Sequence, residues 1–389
     1  MWRCYLCDTA TGAVRSPIDI PSLSWSLTVS DASLSTTKGK GTGEGEARSI
    51  VVPWSAVPGS TWREKASSLS AGRRALLLGW DDGGSFYPVV FGAVGARTDT
   101  VDDTSFSLDS VMQILASRYM VREGEFYKGA GALSLSGLSL RAIAANVGWY
   151  CTEGKPGGSL PIDWGDFYEK GEHERTYWPY NVSNLACADI FEKIANVIGG
   201  PDIAFRPYMA DGARVRLRFE AGSDADAYIG QRSVRTLRIG PGGNAGNASV
   251  AHLAPVSRVY ATGAGSEAEE LVHLAEDLSR VNAADPWPLM EETFNDSSAE
   301  DGALLAAHAG GRLAADSRPM AQLTCEVNLG DADAPRPGDL WPGDVVNVRF
   351  QGFPTVPDGD YALRLMQMSG DLGMSVRLKF DPFIDPMEV

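Results

Sequence analysis

Alternation of apolar and polar residues, typical of β-strands, opens the chain. Apolar side chains lie between Trp2 and Leu6, a polar turn with one glycine follows at 8–12, and the alternation resumes from Ile18 to Val29. Period-two spacing on both sides of a glycine turn predicts a β-hairpin.

A second hairpin is predicted further along the same region. The apolar run 75–80 stops at Asp81-Asp82-Gly83-Gly84, and the strand pattern resumes at 87–94, which favours two strands and a turn over a helix. Between the two hairpins, residues 36–46 contain four glycines and no apolar residue, so we expect an exposed mobile loop. Residues 1–108 are therefore predicted to form an N-terminal β-barrel-like domain.

Helical periodicity appears in the region that follows. Within 138–147, apolar residues recur at positions i, i+3, i+4 and i+7, and Ser139 is available to cap the first turn. A second amphipathic helix is predicted from Asn184 to Ile198, with Gly199-Gly200 as its stop. Two helices thus interrupt an otherwise β-rich chain.

The tract 151–180 lies between these helices. It is rich in Gly, Pro, Asp and Trp and has little periodicity, so we predict a long irregular surface segment. Strand patterns return at 204–206 and 215–219. These features predict an α/β insertion domain at 109–220.

Residues 221–389 return to β patterns with one helix. Strands are predicted at 233–239 and 257–261, on either side of a glycine-rich turn at 240–247, and the Ala-rich segment 300–317 is strongly helical by propensity. The remaining predicted strands are 321–328, 344–350, 360–367 and 374–380. This part is predicted to be a second β-barrel-like domain with one helix, so the fold class is mainly β with an α/β insertion.

Length and composition indicate a multi-domain globular protein. The 389 residues exceed the size at which single cores stop growing, and 44% hydrophobic with 22% charged residues is close to globular averages. The formal net charge of −16 without a run of Lys or Arg argues against specific nucleic-acid binding.

Targeting signals are also missing from the sequence pattern. There is no apolar stretch long enough for a membrane-spanning helix and no signal-peptide core at the start, so assembly in a cytoplasm is expected. The five cysteines form an odd, scattered set, which predicts reduced thiols rather than a disulfide framework.

Candidate metal ligands lack the spacing that metal sites need. Cys4-x-x-Cys7 has no second pair of ligands, and the acidic segments 296–301 and 331–333 lack the ligand spacing and closing Glu of an EF-hand. The histidines are far apart in sequence: His173, His252, His273 and His308. We predict no metal and no cofactor.

Two acidic clusters are the best candidates for catalysis. Asp163-Trp164-Gly165-Asp166 and Glu172-His173-Glu174 combine carboxylates with aromatic neighbours, an arrangement that could support glycoside hydrolysis, but a solvated loop of an acidic protein is the favoured interpretation. No Gly-x-Ser-x-Gly motif is present, and the glycines at 240–244 lack the Lys-Ser/Thr ending of a P-loop. Sugar stacking on Trp-rich stretches is a further alternative, less favoured than aromatics that anchor loops or fill interfaces; the stretches lie around Trp149, Trp164, Trp178 and Trp287. We predict no catalytic residue.

The order of elements resembles one family of viral proteins. The opening, Tyr5-Leu6-Cys7-Asp8 with Thr11-Gly12 and then Leu23-Ser24-Trp25-Ser26-Leu27, resembles minor tail proteins of siphophages that infect actinobacteria. In the C-terminal third, the Ala/Leu helix, Pro342-Gly343-Asp344-Val345-Val346 before a strand and Tyr361-Ala362-Leu363-Arg364 before the last hairpin resemble tail-tip, or baseplate, hub proteins. The tract 151–180 has no counterpart in that pattern.

That resemblance implies a mechanical function in the virion. It implies a fold of the phage tail hub type, with two β-barrel-like domains and an α/β insertion, and a homotrimer that forms a ring continuing the tail tube. The implied partners are the distal tail protein, the tape measure protein and other minor tail or receptor-binding proteins, with roles in host attachment and genome ejection. A tail-associated cell-wall glycoside hydrolase or a carbohydrate-binding module is the alternative.

Overall fold

The computed structural model describes residues 1–39, 49–197, 199–230, 232–265, 269–297, 299 and 301–386. The strands of the first part are β1 (Trp2–Asp8), β2 (Val14–Pro17), β3 (Leu23–Thr28), β4 (Ala32–Thr36), β5 (Ile50–Pro53), β6 (Arg74–Asp81), β7 (Phe86–Asp99) and β8 (Asp103–Asp109). The strands of the middle part are β9 (Leu133–Leu138), β10 (Ile162–Asp163), β11 (Lys170–Tyr177), β12 (Ile203–Asp211) and β13 (Arg214–Ala221).

The last part contributes the remaining strands: β14 (Arg232–Ile239), β15 (Gly246–Leu253), β16 (Arg258–Thr262), β17 (Val272–Glu276), β18 (Glu291–Asn295), β19 (Met320–Asn328), β20 (Val345–Phe350), β21 (Gly359–Gly370), β22 (Ser375–Phe380) and β23 (Phe383–Ile384). The α-helices are α1 (Trp62–Ser68), α2 (Val111–Ala116), α3 (Leu140–Cys151), α4 (Cys187–Ala195) and α5 (Gly302–Asp316). Two 3-10 turns lie at Thr37–Gly39 and Pro179–Asn184. The chain is mainly β with inserted α/β elements, as the sequence predicts.

Two large sheets organise the molecule. The N-terminal sheet has the order β2-β1-β6-β7-β8-β5, and the C-terminal sheet has the order β14-β20-β21-β22-β19-β15. Within the described residues neither sheet closes into a complete barrel, although a bridge between Ile239 and Ala245 brings the start of β15 beside the end of β14. The C-terminal sheet is therefore barrel-like at one end only.

Both faces of the N-terminal sheet are buried. Leu76 and Leu78 on β6 join the core shared with the C-terminal sheet, whereas Ala75 and Leu77 on the same strand join the core of the insertion. A strand buried on both faces needs a continuous apolar run rather than alternation, and 75–80 is such a run. The predicted hairpin is confirmed, because β6 pairs antiparallel with β7. In the turn, the Asp82 carboxylate accepts the backbone N–H groups of Gly84 and Ser85.

The insertion packs helices on a small sheet. Its insertion sheet, β10-β13-β12, and the helices α2, α3 and α4 enclose one core, and the β11-β9 ribbon lies beside them. The predicted capping of α3 is confirmed, since the Ser139 hydroxyl accepts the N–H of Ala142 at 3.1 Å. The helix predicted from Asn184 begins later, at Cys187, after a 3-10 turn and without a side-chain cap.

The prediction of an irregular segment at 151–180 is partly wrong. Residues 170–177 form β11, which pairs antiparallel with β9. The strand Lys-Gly-Glu-His-Glu-Arg-Thr-Tyr has only one apolar residue, Tyr177, that is buried, so no apolar alternation reveals it in the sequence.

Strands β3 and β4 belong to the C-terminal sheet rather than to the N-terminal sheet. They lie within residues 1–108, yet β3 pairs with β21 of the C-terminal sheet and with β4. The domain division at 108 and 220 stays a prediction. Under that division, β3 and β4 of the first domain pair within the sheet of the third. The predicted loop at 36–46 lies outside the described residues from residue 40 onward; its first residues end β4 and form a 3-10 turn.

A small sheet, β17-β16-β18, carries α5 on one face. Asp301 caps this helix by accepting the N–H of Ala303 at 3.3 Å, and Leu305, Ala309 and Leu313 are its buried residues. The helix predicted at 300–317 is therefore confirmed. The strands β15, β17 and β18 were not predicted.

Candidate assembly surfaces and the junction between the parts

The first acidic cluster is part of the scaffold. Burial raises the pKa of Asp163, but hydrogen bonds from Arg216 and Tyr208 and the Arg216 charge outweigh it and hold the pKa below its ordinary value. Trp164 is 4% exposed, and Asp166 accepts the backbone N–H of Tyr168 at 2.8 Å. These carboxylates are thus engaged in local contacts.

The second acidic cluster lies along β11. Glu172 and Glu174 are exposed alternate residues of the strand, and His173 Nε2 lies 3.5 Å from a carboxylate oxygen of Asp224. The first cluster lies at β10 and the residues after it, and the second lies on β11. Alternate residues of a strand lie on the same face, so Glu172 and Glu174 share one exposed face of β11.

The candidate metal ligands are dispersed. Cys4 joins the core between the two large sheets, whereas Cys7 joins the insertion core on the other face of β1. Burial raises the pKa of both thiols to about 12. Among the described residues, no group of three or more His, Cys, Asp or Glu side chains is arranged to hold a metal ion.

Two of the histidines and the glycine-rich turn at 240–247 make local contacts. His252 and His308 pair with Asp385 and Asp296 at 2.5 and 2.6 Å between Nδ1 and the carboxylate oxygen. In the glycine-rich turn, the Asn244 side chain accepts the N–H of Arg238 at 2.7 Å and donates to two backbone carbonyls. These hydrogen bonds hold the turn to β14 and to the segment around Asp333.

The tryptophans have different environments. Trp164 is packed among Phe191, Phe205 and Phe219, with ring centroids 5.4–6.2 Å away. Trp178 is 45% exposed, and its ring centroid is 5.6 Å from that of Tyr180. No helix among the described residues is both long and apolar enough to cross a bilayer.

An ion-pair cluster joins the insertion to the C-terminal part. Arg206 on β12 is largely buried, and its Nη2 lies 3.1 Å from Oδ1 of Asp344, while its Nε forms an ion pair with Glu220 at 3.1 Å. The guanidinium also lies over the ring of Trp341, 5.7 Å from the centroid. The other oxygen of Asp344 accepts the N–H of Trp341 at 2.9 Å.

Burial determines the electrostatics of this junction. It raises the pKa of Asp344 above its ordinary value, and the charge of Arg206 only partly opposes that effect. Arg206 and Asp344 are 138 residues apart, so nothing in the local sequence pattern indicates the pair. In the sequence, the alternation of apolar and basic residues at 215–219 predicted only the strand β13, which pairs with the strand of Arg206.

Two surfaces are open to a partner. The face of the small sheet opposite α5 carries Tyr260, Val272 and Leu274, all exposed, with Tyr260 and Leu274 directly opposite one another in the register. Strand β15 is an edge strand whose residues are exposed or half-buried, and it pairs with β19 on one side. An exposed edge strand presents unpaired backbone groups to which another strand can add.

Comparison with solved structures supports the fold. The 43 kDa tail protein of prophage MuSo2 from Shewanella oneidensis matches over 98% of this chain and 98% of its own, at 11% identity and a TM-score of 0.50. A tail protein from Neisseria meningitidis MC58 matches over 97% and 96% of the two chains, at 12% identity and a TM-score of 0.45. Prophage tail protein gp18 from Listeria monocytogenes EGD-e matches over 97% and 94%, at 11% identity and a TM-score of 0.39.

The fold is therefore shared with the Shewanella prophage tail protein. No family model matches the sequence, and no curated protein matches it.

Proposed function

We propose that this chain is a structural component of a phage tail, located in the virion. The observation that carries the proposal is the likeness to the Shewanella prophage tail protein, which extends over 98% of both chains. A match over the full length of both chains concerns the whole arrangement of the large sheets, the insertion and the small sheet rather than one common motif. At 11% identity it concerns the fold, so the function is our inference.

Within the tail, we place the protein at the tip as a ring-shaped hub that continues the tail tube. The proposed state is a homotrimer of chains with domains 1–108, 109–220 and 221–389, in contact with the distal tail protein, the tape measure protein and receptor-binding parts. The exposed edge of β15 and the open face of the small sheet supply contact surfaces, as a closed ring requires. A siphophage of actinobacteria as the source, and assembly in the host cytoplasm, belong to the same proposal.

The proposal includes the absence of catalytic activity. The carboxylates that were candidates for hydrolysis are used in ion pairs and turns or stand alone on an exposed strand. The net charge of −16 also agrees with a conduit along which DNA passes without binding.

Molar mass in solution tests the proposal. Light scattering over a concentration series should give a trimer or another closed ring, and negative-stain images should show a central opening. A monomer at every concentration, together with release of soluble sugars from purified cell walls, would favour the hydrolase alternative instead.

A pair of variants tests the contact surface. Leu274→Glu places a charge on the open face of the small sheet, whereas Val101→Glu places the same charge in a turn, where Val101 is 94% exposed. We expect the first variant to shift the equilibrium toward monomers and the second to behave as the wild type. Equal association of both variants would exclude this face as the contact.

A further inference from the structure

A cleft of about 520 Å³ lies between the N-terminal sheet and the insertion. Its walls are the turn after β1 (8–11), the turn before β6 (72–74), the end of α2 with the residues after it (113–118), and the segment 157–160. Neither α5 nor the small sheet is part of the lining.

Its lining carries more positive charge than negative. Asp8 forms ion pairs with both Arg15 and Arg74. Burial raises the pKa of Asp8, but the hydrogen bond from Arg15 and the neighbouring guanidinium charges outweigh burial and lower it, so this carboxylate stays ionised and is neutralised by its partners. The other acid of the lining, Asp109, accepts the hydroxyl of Ser107 at 3.2 Å.

Two further guanidinium groups, those of Arg73 and Arg118, line the cleft, and the charge of Arg73 also contributes to lowering the pKa of Asp8. Neither Arg73 nor Arg118 makes a side-chain hydrogen bond or ion pair within the residues that the structure describes. In a protein with a net charge of −16, where most arginines are paired, two such groups in one cleft form a local site of positive charge.

Hydroxyl groups complete the lining. They belong to Thr9, Thr11, Ser117 and Ser159. Thr9 is 6% exposed, and its hydroxyl has no hydrogen-bond partner within the described part of the chain. A buried hydroxyl without a partner costs free energy, which a hydrogen bond to a ligand oxygen would recover.

We propose that this cleft binds a phosphate group, carried by a small hydroxylated ester. Guanidinium groups bind phosphate oxygens with charge-assisted and often bidentate hydrogen bonds. The guanidinium groups of Arg73 and Arg118 have N–H donors without hydrogen-bond partners, and a phosphate group offers more acceptor oxygens to them than a carboxylate does. The surrounding hydroxyls suit a polyol attached to that phosphate.

Isothermal titration of the full chain tests the site at constant ionic strength with inorganic phosphate, glycerol 3-phosphate and, as the reference anion, acetate. We expect saturable binding of both phosphates, with glycerol 3-phosphate the tighter, and no saturation with acetate. If inorganic phosphate binds and the ester does not, the ligand is the free ion and the ester part of the proposal fails. If neither phosphate saturates, the site does not exist.

Variants of arginines inside and outside the cleft localise the binding. The double variant Arg73→Gln with Arg118→Gln should weaken phosphate binding at least 10-fold. Arg63→Gln removes one exposed charge on α1, outside the cleft, and should change binding less than twofold. Equal weakening by both would mean non-specific attraction and would overturn the proposal.

The outcome is independent of the proposed tail function. Circular dichroism should show the double variant folded, and light scattering should show its molar mass unchanged. Loss of phosphate binding in the double variant, with its oligomer intact, supports the cleft. A wild-type protein that is monomeric but binds phosphate would contradict only the proposed ring.

Discussion

Replacing Arg206 with methionine removes the guanidinium that pairs with Asp344. The side chain of Asp344 is only 8% exposed, and that of Arg206 is 13% exposed. Methionine has a similar length and keeps apolar contact with Trp341, so the variant removes the charge with little change in volume. The Asp344 carboxylate is then buried with its bond from the Trp341 N–H but without a counter-charge.

The expected loss follows from that geometry. Breaking a buried ion pair by removing one partner destabilises proteins by about 3–5 kcal/mol, because the remaining charge stays desolvated. The Arg206–Glu220 contact adds less, since Glu220 is more exposed. Urea unfolding followed by tryptophan fluorescence measures the free energy of unfolding of the variant against the wild type.

The loss should depend on pH in a defined direction. Because the folded pKa of Asp344 is raised, the native state binds this proton more readily than the unfolded chain, and the ionised carboxylate destabilises the native state. Without Arg206 the pKa rises further. The stability difference between wild type and variant is therefore largest at about pH 7 and shrinks toward about pH 4, where Asp344 is protonated.

Two control variants sharpen the test. Arg218→Met removes an exposed guanidinium 3.7 Å from the same Glu220 and should cost about 0.5 kcal/mol. Asp344→Asn combined with Arg206→Met removes the orphaned charge and should recover part of the loss. A cost below about 1 kcal/mol for Arg206→Met, or an equal cost at both pH values, would refute the reasoning.

Three further predictions concern the core. Gly12 has φ +68°, and a Cβ there would lie 1.9 Å from the carbonyl oxygen of Val215. Gly12→Ala should therefore lower the free energy of unfolding by about 2–3 kcal/mol in urea titrations. An unchanged free energy would contradict the close contact. Trp164→Ala should cost about 3–5 kcal/mol in the same assay, and a cost near zero would contradict its central packing. All five cysteines are buried, so their thiols should react with Ellman's reagent only after unfolding, and rapid labelling of the native protein would contradict this.

Where periodicity is strong, the sequence predicted the elements well. The helices α3 and α5, the hairpin of β6 and β7, and the strands β19 to β22 were anticipated, because each buries a regular set of apolar residues. The strands β11 and β18 were missed, because in both of them exposed residues alternate with half-buried residues and not with a row of buried apolar ones. Neither strand has the apolar face on which such a prediction depends.

The candidate sites were less accessible to sequence reasoning. Asp163, Trp164 and the pair Cys4 and Cys7 were singled out by local composition, and the structure gives each of them a place in the scaffold. The Arg206–Asp344 pair and the cleft with Arg73 were not predicted. Their residues come from distant segments, and local spacing carries no information on such contacts.

The sequence by itself determined the mainly β class, the helical insertion and the acidic net charge, since these depend on periodicity, propensity and composition. Tertiary structure alone decided that β3 and β4 join the C-terminal sheet, that both faces of β6 are buried, and that Arg206 meets Asp344. The physical reason is that burial is a property of the assembled chain. A residue's exposure, and with it the energy of its charge, is set by segments far away in sequence.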